Sequence, residues 1–500
     1  MNRRHFVQAA SATAGTLVLP RLARAEQIVR EPYAPHRERT GPEDVVRVRG
    51  RVHAAGRGLA GVRVSDGRSV VVTARDGRYT LLARRSQPFV CITTPRGYAL
   101  PAQQGLARAY APLGPSAEQV HDFALTPLAV ADEQHALLLL ADPQTQTRAD
   151  TQRLHDQTVP DVIETVRALG DQPIVGVGCG DLMFDDLTLF PDWERAVQRM
   201  GVPFVSVVGN HDLDMRSVDT DEDSVATFRR RFGPTYWSFD RGAVHYVVLE
   251  DVFWYGDGYL GYLTTEQLEW LRADLAFQAP GSPVVVLLHI PPRSTLNRRN
   301  GLPIGTNNDI VNREALYRAL EGFQAHVLSG HIHEQEHLRE GNIMQHVHGA
   351  VCGGWWTGPI NYDGAPNGYG VYQVRGEELR WRYKGTGLSA STQMRLYPAG
   401  SDPSAPDLYI ANVWDWAPGW RVTWFEDGQP RGTMARRPGR DPMAVQLYNG
   451  PDLPARHGWV DPVVTEHLFT APATAGAREL RVEAVTPWGE TFTETLRVGA

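Results

Sequence analysis

The chain has 500 residues, 42% hydrophobic and 21% charged, which allows roughly three domains with real cores. A formal net charge of -7 argues against a general nucleic-acid or anionic-membrane binder. Three widely separated cysteines, Cys91, Cys179 and Cys352, exclude a disulfide framework and a thiolate metal site. Nearly all the basic residues are arginine, and Lys384 is the only lysine.

The first 25 residues read as a targeting segment. Asn2-Arg3-Arg4-His5-Phe6-Val7 precedes a weakly apolar run from Ala9 to Leu19 and an A-x-A cleavage pattern at Ala23-Arg24-Ala25. The paired arginines with Phe6 resemble a twin-arginine export signal, which implies a bacterial protein that is periplasmic or secreted. The apolar run is too short to span a bilayer, and no other stretch approaches transmembrane length. Residues 26–43 are polar and non-periodic, as a linker would be.

From Val45 short β-type runs alternate with glycine turns, for example G-V-R-V-S-D-G and A-R-D-G-R-Y-T-L. This predicts an N-terminal β-sandwich over 44–128, and those two stretches resemble the carboxypeptidase-regulatory-like sandwich. Between 132 and 385 the pattern becomes strand, helix, strand. His135–Ala141, Ile174–Cys179, Val202–Val208, Val284–Leu288 and Ala325–Leu328 are continuous apolar runs, as buried strands of an α/β sheet require. After Gly387, β runs with Pro, Gly and Asp turns return, predicting a C-terminal β domain over 388–500.

Five of the central strands end in metal-competent side chains: Asp142 with Gln144, Asp181, Asn210 with His211, His289, and His331 with His333. A lone histidine at a strand end is more often a satisfied core or surface residue. Five such ends in order place their ligands along one sheet edge, where open α/β sheets bind ligands. The blocks D-P-Q, G-D, G-N-H-D, the strand-end His289 and G-H-I-H resemble the calcineurin-like metallophosphoesterase family.

That resemblance implies a two-sheet α/β sandwich core, flanked by the all-β domains, which are expected to pack on it. It implies a first metal held by Asp142, Gln144, Asp181 and His333, and a second held by Asp181, Asn210, His289 and His331. The ions would be two divalent or mixed-valence transition metals (Mn, Fe or Zn). Gln144 stands where the family usually has His, and Phe184 where the purple acid phosphatase branch has a metal-binding Tyr; Asp185 follows one place later. In this reading a bridging hydroxide attacks phosphorus, and His211, oriented by Asp212, is the general acid. Arg293, Trp355, Trp356 and Asp363 are candidates for the substrate rim, with Arg298 and Arg299 beside them. The expected activity is an exported phosphomonoesterase. A phosphodiesterase or pyrophosphohydrolase on nucleotides or phospholipid headgroups is the alternative within enzymes, and a non-catalytic surface or binding protein the alternative of another class.

Overall fold

The apolar runs that end in polar residues are the central strands of two mixed sheets in this computed structural model. It describes residues 45–215, 218–303 and 305–498, so the export signal and linker read at 1–43 lie outside the described residues. The core strands are β1 (Gln134–Leu140), β2 (Ile174–Cys179), β3 (Phe204–Val207), β4 (Trp237–Arg241), β5 (Val244–Val248) and β6 (Pro283–Leu287). They continue with β7 (Gln324–Ser329), β8 (Glu336–Glu340), β9 (Ile343–Val347), β10 (Gly368–Arg375) and β11 (Glu378–Gly385). One sheet runs β11-β10-β1-β2-β3 and the other β4-β5-β6-β7-β9-β8. The strands that deliver ligands, β1 to β3 in one sheet and β6 and β7 in the other, pair in parallel with their neighbours in that set.

Side-chain alternation explains why these runs are continuously apolar. Leu137 and Leu139 of β1 share an apolar cluster with Tyr246, Val248, Val285 and Leu287 of the second sheet. Ala136, Leu138 and Leu140 face the other way, into a cluster with Val162 of α1 (Val159–Leu169) and Trp193 of α2 (Phe190–Met200). Both faces of β1 are therefore covered, so the strand is apolar from Ala136 to Leu140. The one buried polar residue before that run, His135, is paired with the Asp132 carbonyl and the Tyr246 hydroxyl.

The segments on either side are β-rich. The N-terminal region holds a five-stranded sheet built on Val45–Ala54 and a four-stranded sheet, and the C-terminal region holds two four-stranded sheets. Leu106–Ala107 from the N-terminal region adds to the edge of β3, with Leu106 opposite Phe204 and the Phe204 N–H donating to the Gly105 carbonyl at 2.6 Å. Thr94 reaches β4 in the second sheet, accepting from the Asp240 N–H at 2.8 Å. Two edges that would otherwise present unpaired backbone are thereby met by the same region. No helix among the described residues is long and apolar enough to cross a membrane.

The single lysine is structural. Lys384 on β11 is buried, and its Nζ donates to both carboxylate oxygens of Asp161 on α1, each at 2.8 Å, and to the Gly385 carbonyl at 3.0 Å. Asp161 also accepts from the Tyr369 hydroxyl at 2.6 Å and the Gly387 N–H at 2.8 Å. Removing one partner of a buried pair strands the other charge. Lys384→Met is expected to cost about 3–5 kcal/mol of stability, read as a lower denaturation midpoint; an unchanged midpoint would show the pair to be dispensable.

Candidate metal centre

Strand ends set the geometry of the site. Asp142, Asp181, His289 and His331 each stand two residues beyond the last residue of their strand. Asp142, Gln144, Asp181, His331 and His333 have φ of 49°, 38°, 49°, 70° and 53°. Left-handed backbone at non-glycine residues costs on the order of 1–3 kcal/mol each, and it persists where the surroundings hold it. The glycines of the motifs answer a different need, close approach. A Cβ on Gly209 would lie 2.2 Å from Asp181 Oδ1, and one on Gly330 would lie 2.4 Å from Asp142 Oδ2.

Asp181 is fully enclosed at the centre of the set. Its Oδ2 accepts from Gln144 Nε2 at 2.7 Å and its Oδ1 from the His211 N–H at 2.8 Å, with His289 Nε2 3.3 Å away. Burial opposes its charge, but His289 and His211 outweigh burial and hold it below the usual carboxylate range. Asp142 accepts the His331 N–H on both oxygens, at 3.1 and 2.9 Å.

The histidines are oriented by backbone carbonyls. His289 engages the Cys179 carbonyl through Nδ1 at 3.0 Å, His331 the Asn307 carbonyl through Nε2 at 2.8 Å, and His333 the Gly353 carbonyl through Nδ1 at 3.0 Å. A ring N–H given to a carbonyl leaves the other nitrogen as a lone-pair donor, the usual way a protein fixes the ligating tautomer. The free nitrogens of His289 and His331 then face each other at 3.2 Å, and Asn210 Oδ1 lies 3.3 Å from His289 Nε2. Asp181, His289 and His331 offer ligand atoms within 4.8 Å of one another.

Gln144 Oε1 and His333 Nε2 are also buried and have no hydrogen-bond partner, His333 Nε2 lying 3.4 Å from Asp142 Oδ1. Enclosed polar atoms left without a partner carry a desolvation cost that a bound cation would remove. The donor set thus fits a metal bound beside Asp181. Without a cation the charge is settled by protons. Burial disfavours the His289 imidazolium, yet Asp181 outweighs it and lifts His289 to about 10. Burial and the His289 charge drive His331 down to about 3.

His211 stands at the rim. Its Nδ1 meets Asp185 Oδ1 at 2.6 Å, and its ring stacks on Phe184 with centroids 4.3 Å apart and planes 22° apart. Burial would lower its pKa, but Asp181 and Asp185 raise it above the ordinary imidazole value. The expectation that Asp212 orients His211 is corrected. The Asp212 carboxylate is spent on three backbone N–H groups, those of Leu182, Met183 and Gly209, at 3.0–3.1 Å. It ties the G-D turn to the G-N-H-D turn, and Asp185 orients the histidine.

The rim candidates need correction too. Arg293 pairs with Glu340 and its N–H with Gln345, at the far strand pair β8–β9. Arg299 is enclosed in an ion network with Glu334 and Glu336. Trp356 is buried, its Nε1 donating to the Pro143 carbonyl at 2.9 Å, so it braces the D-P-Q turn. Asp363 is fully buried and accepts from the Gln335 and Ala365 N–H groups at 2.8 and 2.9 Å, with His467 at 3.1 Å. Charged and amide groups in Gly-rich loops resemble a substrate rim in sequence, but here each has an internal partner. Trp355 alone borders the centre, stacked on His333 at 4.2 Å and 20°.

Asp251 was not singled out from the sequence. Its carboxylate accepts the N–H groups of His289 and Ile290 at 3.0 and 2.8 Å, fixing the turn that presents His289, and burial pushes it up to about 7. The signal was present, since the apolar run of β5 also ends in acidic residues, Glu250-Asp251.

With the geometry established, comparison with known proteins gives consistent matches. Residues 136–335 match the family described as calcineurin-like phosphoesterase, 46–128 its N-terminal region and 345–492 its C-terminal region. Serine/threonine-protein phosphatase CPPED1 of Bos taurus is 31% identical over 199 residues, covering 36% of this chain and 58% of that protein. The Mus musculus protein of the same name is 32% identical over 149 residues, covering 28% and 46%. The chain therefore spans about half the length of these curated relatives. Among solved structures, a purple acid phosphatase from yellow lupin aligns with a TM-score of 0.36 at 12% identity, covering 69% of this chain and 68% of that one.

Gly209→Ala tests the packing of the centre. The added methyl is expected to displace Asp181 and abolish bound transition metal, measured by elemental analysis, while circular dichroism stays native; full metal content would contradict the close approach.

Proposed function

We propose that this chain, which belongs to the calcineurin-like phosphoesterases, is an exported phosphomonoesterase acting through a dinuclear metal centre at Asp142, Gln144, Asp181, Asn210, His289, His331 and His333. One observation carries the reading: Asp181, His289 and His331 offer ligand atoms within 4.8 Å of one another, and the nearby turns add Gln144 Oε1 and His333 Nε2, buried and without a hydrogen-bond partner. Two divalent ions bound there supply Lewis-acid polarisation of a phosphoryl group and a water acidic enough to attack phosphorus.

The chain's own residues do the rest. Asp181 would supply a carboxylate to the centre, with His289 Nε2 3.3 Å from its Oδ1 and Gln144 Nε2 2.7 Å from its Oδ2. Gln144 holds one Asp181 oxygen through Nε2, which directs its carbonyl oxygen to the first site. A neutral amide ligand contributes no charge and less softness than imidazole, which supports Mn(II) or Fe(II) over a thiophilic ion there. His211, whose hold on a proton Asp181 and Asp185 strengthen against burial, would carry that proton on Nε2 for delivery to the departing alkoxide. Phe184 and Asp185 fix the ring plane, so that proton is aimed and not merely available.

The monoester preference rests on the relatives, which are serine/threonine-protein phosphatases. Export rests on Arg3-Arg4 and the Ala23-Arg24-Ala25 cleavage pattern. The reading is tested by assaying the metal-loaded chain on p-nitrophenyl phosphate and bis-p-nitrophenyl phosphate. Turnover of the diester alone would overturn the monoester preference, and turnover of neither would overturn the enzyme.

Two outcomes follow from the residue roles. His211→Ala is expected to slow hydrolysis of an alkyl phosphate about 100-fold or more, and that of p-nitrophenyl phosphate far less, because the latter leaves without a proton. An equal loss on both esters would remove His211 from the acid role. Replacing Arg3 and Arg4 together by Lys is expected to retain the protein in the cytoplasm, followed by fractionation and immunoblot; undiminished export would sink the twin-arginine reading.

A further inference from the structure

A run of aromatic contacts leads away from the metal centre at two points and closes on a loop far along the chain. At one end Trp355 stacks on His333, and Trp459 meets Trp355 edge-on at 4.5 Å. At the other end Phe184 stacks on His211, and His457 meets Phe184 edge-on at 5.9 Å. His457 and Trp459 touch each other at 5.6 Å, so the two branches join into an arch. One foot stands on a ligand of the first metal and the other on the candidate acid.

The arch is anchored. Arg456, next to His457, makes a two-pronged ion pair with Asp150, at 2.8 and 3.0 Å, and reaches Gln146 Oε1 at 3.2 Å. Asp150 caps the helix that follows D-P-Q, through Thr147. The loop is therefore fixed to the same turn that presents Asp142 and Gln144. A stack built only for stability would be enclosed, yet Phe184, Trp355, His457 and Trp459 are all partly exposed. They offer aromatic surface to solvent beside the centre, whereas Trp356 and Asp363 are buried.

We infer that the C-terminal loop carrying His457 and Trp459 is part of the substrate site and selects phosphate esters whose organic group presents a planar, apolar face. A ring or conjugated group leaving the phosphoryl centre would pack against Trp459 and Trp355, while a small alkyl group would leave the arch uncovered. Such contact favours the planar ligand by about threefold to tenfold. The inference deepens the proposed phosphoesterase reading and rests on it for the position of the phosphoryl group.

The test uses non-hydrolysable phosphonates, so it does not depend on turnover. Full chain loaded with Mn(II) is titrated calorimetrically with phenylphosphonate and methylphosphonate. The wild type is expected to bind the phenyl compound about three- to tenfold more tightly, Trp459→Ala to bind both about equally, and Trp459→Phe to regain the preference. If Trp459→Ala does not fold by circular dichroism, His457→Ala carries the same expectation. A wild type without the preference, or an alanine variant that keeps it, overturns the inference. A wild type that shows the preference but hydrolyses no ester leaves the arch standing and removes the phosphoesterase reading; hydrolysis without the preference does the reverse.

Discussion

A carboxylate with almost no exposure must be neutralised on every side, and Asp181 meets that constraint by gathering the site around itself. Gln144 approaches one oxygen, the His211 N–H and His289 the other, and Gly209 leaves out a side chain so that the G-N-H-D turn can come close enough. These residues come from three different turns. The relative placement of three strand ends is therefore tied to one anion, and the left-handed backbone at Asp142, Gln144 and Asp181 is tolerated because these contacts hold it.

Around that anion the carboxylates and carbonyls divide the labour. Asp212 and Asp251 use their oxygens on backbone N–H groups of the turns, and Asp142 does so as well as facing His333. The carbonyls of Cys179, Asn307 and Gly353 take one nitrogen from each histidine. What is left over at these turns includes Gln144 Oε1 and His333 Nε2, enclosed and without a hydrogen-bond partner, where a cation would be accommodated.

Much of this was legible in the sequence because the sheets bury both faces. A strand covered on both sides is an apolar run, and the first polar residues after it mark the sheet edge, so Asp142, Asp181, Asn210, His289 and His331 stood out. The rest was hidden for physical reasons. Asp212 adjoins His211 whereas Asp185 lies 26 residues away, and only the fold shows that the adjacent carboxylate is already occupied by amides. Arg293, Trp356 and Asp363 sit in loops of rim-like composition, and their internal partners, Glu340, the Pro143 carbonyl and the Gln335 N–H, are distant in sequence. Nothing in G-L-A-R-A-Y predicted that Leu106 would extend a core sheet, since a two-residue pairing has no periodicity to detect.

The ion pair between Arg456 and Asp150 joins residues 306 positions apart. A ribosome that has finished the D-P-Q turn must add about three hundred further residues before that turn receives its distant brace. Contacts of such long range are made late and slowly. Completion of that sheet edge thus waits on a distant segment, and a product cut short before Arg456 would present Asp142 and Gln144 without the clasp that braces their turn.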